Sequence, residues 1–265
     1  MIIGLAQMDI IWENVDENKK KAEYFFQEAA KKGVDLLVFP EMTLTGFSMN
    51  VMKTALCWKE QKELFQNLTD KYQMCAAFGY PAPVAQEENI KGGKNYQNHL
   101  SVMDCGKEIL NYSKIHPFAY GLEARYFRGG DKIVTAEWKD TILGAFVCYD
   151  LRFPEIFQIA SRQAEIILVI ANWPAERIEQ WECLLRARAI ENQSFMVGVN
   201  RTGDGGNIHY NGHSVIYGPK GERLTFVTEE EELLTARIET GCVRKYREEF
   251  PTKKDRRDDL YRFYI

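Results

Sequence analysis

Residues 142–157 read ILGAFVCYDLRFPEIF, an apolar run that ends in a cysteine and meets a proline six residues later. Ile142, Leu143, Ala145, Phe146 and Val147 form the run, broken only by Gly144. Its length and its β-branched and aromatic content suit a buried strand better than a helix. Pro154 suits the first turn of a helix, where its missing N–H costs nothing, and Ile156, Phe157 and Ala160 then recur at helical spacing. Cys148 therefore falls where a strand ends and the chain turns toward a helix. Two readings stay open at this point. A free cysteine is commonly a buried hydrophobe, and a strand-to-helix corner is also where hydrolases expose a nucleophile.

The same grammar extends in both directions. Residues 2–8 read as a strand, and NVDENKKKAEYFFQEAAKKG places Ala22, Phe25, Phe26, Ala29 and Ala30 on one helical face. Asn14 with Glu17 resembles a capping box, and Gly33 is placed to stop the helix. DLLVFPE follows as a buried strand ending at Pro40 and Glu41. Further strands are expected at 98–104, 108–114, 165–173 and 194–200, with helices at 154–163 and 178–192. Asn211-Gly212 and GPKG (218–221) mark turns in a hairpin-rich stretch. Helices alternating with strands early and hairpins late predict an α/β chain with mixed sheets and helices outside. No linker, repeat or low-complexity segment divides residues 1–265, so one domain is expected. The tail from about 244 to 265 mixes charge with five aromatics and is expected to pack on something, such as a partner subunit.

Composition narrows the function. With 45% hydrophobic and 27% charged residues the chain is ordinary for a globular protein. A net charge of −4 offers nucleic acid or anionic membranes no general attraction. No run approaches a membrane span and the start lacks the marks of a signal peptide, so a cytoplasmic protein is the default. The six cysteines (57, 75, 105, 148, 183 and 242) are never closer than 18 residues, which argues against zinc ribbons. His209 and His213 lie in a loop-like stretch that does not read as a metal site.

Glu41, Lys114 and Cys148 each fall at the C-terminal end of a predicted strand, where functional groups converge in α/β architectures. Singly, a glutamate after a proline reads as a surface turn and the lysine of YSKIHPF as solvated. Together they supply what acyl transfer needs. A thiol requires a base to become the attacking thiolate. The oxyanion that forms at an amide carbonyl requires fixed donors, which Lys114 and the Tyr149 N–H could provide.

VFPEMTLTGF, YSKIHPF and CYDLRFPE resemble, in order and spacing, three signature segments of the carbon–nitrogen hydrolase (nitrilase) superfamily, and the similarity extends through LLRARAIENQ and GPKGE. The resemblance implies a four-layer α-β-β-α sandwich that commonly dimerises through a helical face. It implies a catalytic triad of Glu41, Lys114 and Cys148, with a second glutamate at Glu123 in GLEARYFRGGD, whose plain alternative is a surface glutamate. It implies hydrolysis through a thioester, with no cofactor and no metal. CYDLRFPE with ANWP and QWECLLRARAIENQ is most similar to the ω-amidase branch, which acts on short ω-amido dicarboxylates such as 2-oxoglutaramate. A carboxylate-bearing substrate wants a cation, for which Arg201 is the first choice. Arg152 is read instead as a structural partner for an acid such as Asp150. Tyr149, Trp173 and Phe118 either line a small pocket or belong to the core. The alternatives are a deaminated-glutathione-type amidase, an N-carbamoyl amidohydrolase, a papain-like protease and a non-enzymatic binding module.

Overall fold

Two mixed sheets face each other, each carrying helices on its outer side, in the computed structural model, which describes residues 1–84 and 95–264. The first half of the chain supplies β1 (Ile2–Gln7), α1 (Val15–Lys31), β2 (Leu36–Val38), a short α2 (Val51–Thr54), α3 (Trp58–Tyr72), β3 (Cys75–Pro83), β4 (Tyr96–Asp104) and β5 (Lys107–Ser113). The second half supplies α4 (Glu123–Tyr126), β6 (Thr135–Trp138), β7 (Thr141–Val147), α5 (Pro154–Ala160), β8 (Ile166–Ala171), α6 (Ile178–Asn192) and β9 (Phe195–Asn200). A hairpin of β10 (Thr202–Gly205) and β11 (Ile208–Asn211) follows, then β12 (Val215–Tyr217), β13 (Glu232–Arg237), α7 (Gly241–Glu249) and α8 (Asp258–Tyr261). Among the described residues one sheet runs β13-β1-β2-β3-β4-β5 and the other β12-β9-β8-β7-β6. In each, three central strands are parallel and the flanking pairs antiparallel.

Side-chain alternation explains the layers, because successive residues of a strand face opposite sides. Leu36, Val38, Cys75 and Ala77 face the second sheet. Leu37, Phe39, Ala76 and Phe78 face outward onto Phe25, Phe26, Phe65 and Leu68 of α1 and α3. The strand β8 is buried throughout, as its unbroken IILVIA implies. Helix α6 lies so close to β9 that a Cβ on Gly198 would sit 2.3 Å from Leu185 Cδ1. The expected α-β-β-α sandwich is the observed one. Asn14 caps α1 by accepting from the Glu17 N–H at 3.3 Å, as its spacing predicts.

One difference has a physical cause. The sequence reading passes over β3, whose Pro81 and Pro83 argue against a strand interior. Here β2 pairs only with Cys75–Ala77 and the turn after it bonds Gly79, so past Gly79 the ladder of β3 continues on its β4 side and tolerates missing N–H groups. The polar groups of the C-terminal tail grip its own subunit. Arg247 donates to Ala164 O and Ser194 Oγ, and Arg256 to Gln158 Oε1. Phe250, Phe263 and Tyr264 point outward and are exposed, while Ile265 lies outside the described residues.

The sheet order brings the C-terminal ends of β2, β5 and β7 to one edge of the sandwich. Gly79 makes the approach of the first possible: a Cβ there would stand 2.5 Å from Met42 N and 2.8 Å from Glu41 Cα. The turn after β2 is stitched to that strand by Thr43 N–H to Gly79 O (2.9 Å) and Gly79 N–H to Thr43 Oγ1 (3.0 Å). Gly79→Ala is expected to lower stability by about 1–3 kcal/mol, the usual range for overpacking a tight site, and to displace Glu41. A thermal melt followed by circular dichroism, paired with an activity assay, checks both, and an unchanged melt would show that the turn has slack.

Candidate active site

The strand β7 ends at Val147, and Cys148 takes a left-handed backbone with φ of 49°. For a non-glycine residue that conformation costs roughly 1–2 kcal/mol and needs support from its surroundings. A 3-10 turn over Cys148–Arg152 follows, and α5 starts at Pro154. Asp150, fully buried, holds this corner. Its Oδ2 accepts from Tyr112 O–H (2.7 Å) and Val147 N–H (3.1 Å), and its Oδ1 from His116 N–H (3.0 Å) and His116 Nδ1 (2.8 Å). The Asp150 carboxylate is thus filled without Arg152, which corrects the pairing expected from sequence. Arg152 lies over the Trp173 ring, 4.9 Å from its centroid, and bonds Gln180 Oε1 at 2.6 Å.

Across the sheet interface, Lys114 stands between two carboxylates. Its Nζ is 3.0 Å from Glu41 Oε1, and 3.1 and 2.8 Å from Glu123 Oε1 and Oε2, with all three residues buried. Asn98 Nδ2 donates to both carboxylates, at 2.7 Å to Glu41 and 3.0 Å to Glu123. The Phe118 N–H closes Glu123 Oε2 at 2.6 Å, so Glu123 is no surface residue. Asn172 completes Glu41: its N–H reaches Oε2 at 2.9 Å and its Nδ2 reaches the Glu41 carbonyl at 2.7 Å.

Burial works against the Lys114 ammonium, but Glu123, Glu41 and the cysteine sulfur outweigh it and raise its pKa. Burial, helped by Glu41 and opposed by Lys114, raises Glu123. The Cys148 thiol is pushed well above its ordinary value, first by burial and then by the Glu41 charge, with Lys114 pulling the other way. At neutral pH the resting sulfur is a thiol. It needs a base beside it, and Glu41 is the carboxylate that its titration senses most strongly.

Cys148 opens onto a small cleft. Phe118, Tyr149 and Trp173 line it, Trp173 while also belonging to the buried core. Phe118 and Tyr149 meet edge-on at 5.0 Å between centroids, and Trp173 Nε1 is anchored on Arg177 O at 2.8 Å. Arg201 is not in the cleft. It is fully buried behind it, donating from Nε to Thr202 O (2.9 Å) and from Nη2 to Ile10 O (2.9 Å), Asp204 O (3.0 Å) and Asp9 Oδ1 (3.3 Å). The first choice for a carboxylate-binding cation is therefore corrected: those carbonyls hold the side chain away from any ligand. The cations that do line the cleft are Arg152 and Arg177.

Sequence reasoning missed Asn98 and Asn172 in the charge cluster and Phe47, Arg177 and Tyr210 on the cleft wall. Asn172 had a legible signal, since an amide closing the run IILVIA must find partners in a dry place. Arg177 in PAERIEQW had none, because it reads as a solvated helix start.

A family model described as carbon–nitrogen hydrolase matches residues 2–248. The chain is 32% identical to omega-amidase YafV of Escherichia coli (strain K12), over 96% of this chain and 95% of that protein. It is 30% identical to 2-oxoglutaramate amidase of Bacillus subtilis (strain 168), over 98% of both. The solved carbon–nitrogen hydrolase from Helicobacter pylori G27 superposes with a TM-score of 0.91 at 23% identity, covering 100% of this chain and 98% of that one, a likeness of fold.

The charge arrangement around Cys148 has a testable sign. Removing the Glu41 charge removes an anion that opposes the thiolate and leaves Lys114, so Glu41→Gln should lower the thiol pKa while turnover collapses. Iodoacetamide labelling of Cys148 against pH, read by peptide mass, should show its profile moving to lower pH. A shift to higher pH would mean that Glu41 is not the charge that governs the sulfur.

Proposed function

The chain belongs to the carbon–nitrogen hydrolase family, and from that premise we propose that it is an amidase for short ω-amido dicarboxylates, of the 2-oxoglutaramate kind. The observation that carries the proposal is the placing of Arg152 and Arg177 in the same small cleft as Cys148. A neutral amide has no use for them, whereas a terminal carboxylate takes a guanidinium in two places. Of the two, Arg177 is the freer. Its ion-pair partner is the largely exposed Glu176, at a loose 3.8 Å, whereas Arg152 is committed to Gln180 and the Trp173 face. The names of the Escherichia coli and Bacillus subtilis relatives support the same substrate class.

In this reading Glu41 takes the proton of Cys148 and the thiolate attacks the amide carbon. The oxyanion forms beside Lys114 and the Tyr149 N–H, which lies in the first turn of a 3-10 segment, where opening amides have no intrahelical acceptor. Glu41 returns the proton to the leaving nitrogen, the C–N bond breaks and ammonia departs, leaving a thioester. Glu41 then deprotonates water, which adds to the thioester carbon. The C–S bond breaks, the acid leaves and the proton returns to sulfur. Glu123 positions Lys114. The same reading takes the enzyme as a homo-oligomer, in which a second copy covers the outward tail aromatics.

Arg177→Gln tests the substrate. A hydrogen bond to a charged group is worth about 1.5–3 kcal/mol, so kcat/KM for succinamate or 2-oxoglutaramate should fall about tenfold to a hundredfold, mostly in KM. Hydrolysis of an uncharged short amide should respond far less. Measured as ammonia release, robust turnover of uncharged long-chain amides with succinamate inert would sink the substrate class and leave the amidase chemistry standing.

A further inference from the structure

Tyr210 is the group on the cleft wall that the chemistry above does not use. It lies on β11 with 1% of its surface exposed, and it lines the cleft beside Cys148. Its ring is fixed from behind by Arg201, whose guanidinium sits 4.7 Å from the ring centroid. Arg201 is itself tied to the loop after β1 through Ile10 O and Asp9. The hairpin fits that loop closely, since a Cβ on Gly203 would fall 2.0 Å from Asp9 Oδ1. The phenol therefore has little freedom to turn away.

Its backbone carbonyl accepts from Thr202, but its hydroxyl has no hydrogen-bond partner among the described residues. A hydroxyl on the cleft wall that bonds no other described residue is open to a ligand there. Burial first, then the charges of Glu41 and Cys148, raise its pKa against the pull of Arg201 and Arg177. The hydroxyl stays protonated and can donate. Cys148 and Arg177 line the same cleft as Tyr210.

We propose that Tyr210 is a specificity-determining residue whose hydroxyl donates a hydrogen bond to the 2-oxo oxygen of the substrate. The inference rests on the reading of the substrate as an ω-amido dicarboxylate. With the amide carbon at Cys148 and the carboxylate at Arg177, the chain between them passes Tyr210. A carbonyl next to the carboxylate is the one acceptor that such a chain adds. A site built to hydrogen-bond a substrate group disfavours the analogue lacking it, because its own polar atom is then left unpaired.

The test compares 2-oxoglutaramate with glutaramate, which carries a methylene in place of the oxo group, in the wild type and in Tyr210→Phe. The wild-type preference in kcat/KM for the 2-oxo amide should shrink about tenfold in the variant, in line with one lost hydrogen bond. Competitive inhibition by 2-oxoglutarate and glutarate gives the same ratio, measured against whichever amide the enzyme turns over. The 2-oxoglutarate Ki should rise while the ratio to glutarate collapses. Equal losses on both amides, with the inhibitor ratio unmoved, would overturn the inference and make Tyr210 part of the wall. A wild type that hydrolyses neither amide defeats the substrate reading by itself, and the inhibitor ratio still decides the tyrosine.

Discussion

Everything at the working edge of this molecule depends on a lysine ammonium kept out of water between two carboxylates. Each of the three charged groups gives up several kcal/mol of hydration when buried. That loss is met only when the charged atoms are fully partnered, and here every carboxylate oxygen of Glu41 and Glu123 accepts a hydrogen bond. Lys114 directs its ammonium at three carboxylate oxygens, Asn98 bridges both carboxylates, and Asn172 and the Phe118 N–H take the remaining sides. Removing one carboxylate from such a cluster leaves an uncompensated charge, commonly at a cost of about 3–5 kcal/mol. The fold reads as the means of meeting that demand. The strands β2 and β5 must end, and the short α4 must begin, within reach of one point, and Gly79 must lack a side chain for the first of them to arrive.

A second, separate polar network serves the sulfur. Cys148 sits in a backbone conformation that a cysteine does not choose, and Asp150 holds it there by accepting from Val147, Tyr112 and His116. His116 is pinned in turn by stacking on Phe153 at 3.8 Å. The two networks divide the labour: Asp150 fixes the corner's shape, and the lysine cluster sets the charge that the thiol feels.

What the sequence made legible follows the same division. Cys148, Lys114 and Glu41 were readable because strand ends are marked by hydrophobic runs, and a polar residue that closes such a run has few places to go. Glu123 was legible only through resemblance, since GLEARYF carries no periodicity that would bury a glutamate. Arg201 misled for a related reason. It too follows a strand, β9, but the residue that turns into the site region there is Asn200, which bonds the backbone of Trp173 and Gly212. Arg201 leaves on the other side, toward the loop after β1. Strand ends locate a site; side-chain parity, which shifts at every bulge and turn, decides which neighbour enters it. Arg177 and Tyr210 come from a helix start and a hairpin. Such segments are placed by tertiary packing, and nothing local in their sequence announces a cleft.

The proposed chemistry exploits the one charge that the cluster leaves uncancelled. With both carboxylates ionised, Glu41 and Glu123 outnumber Lys114 by one negative charge while the thiol is neutral. When Glu41 takes the thiol proton and the sulfur adds to the amide, Glu41 becomes neutral and the oxyanion carries the charge instead. The net charge in the dry region does not change; it moves from one neighbour of Lys114 toward another. The ammonium is already oriented by Glu123, so no dipole has to turn and no fresh ion has to be desolvated as the transition state forms. That is electrostatic preorganisation in its economical form. It also gives Glu123 a role that a surface reading could not: it keeps Lys114 in place once Glu41 no longer holds a charge to attract it.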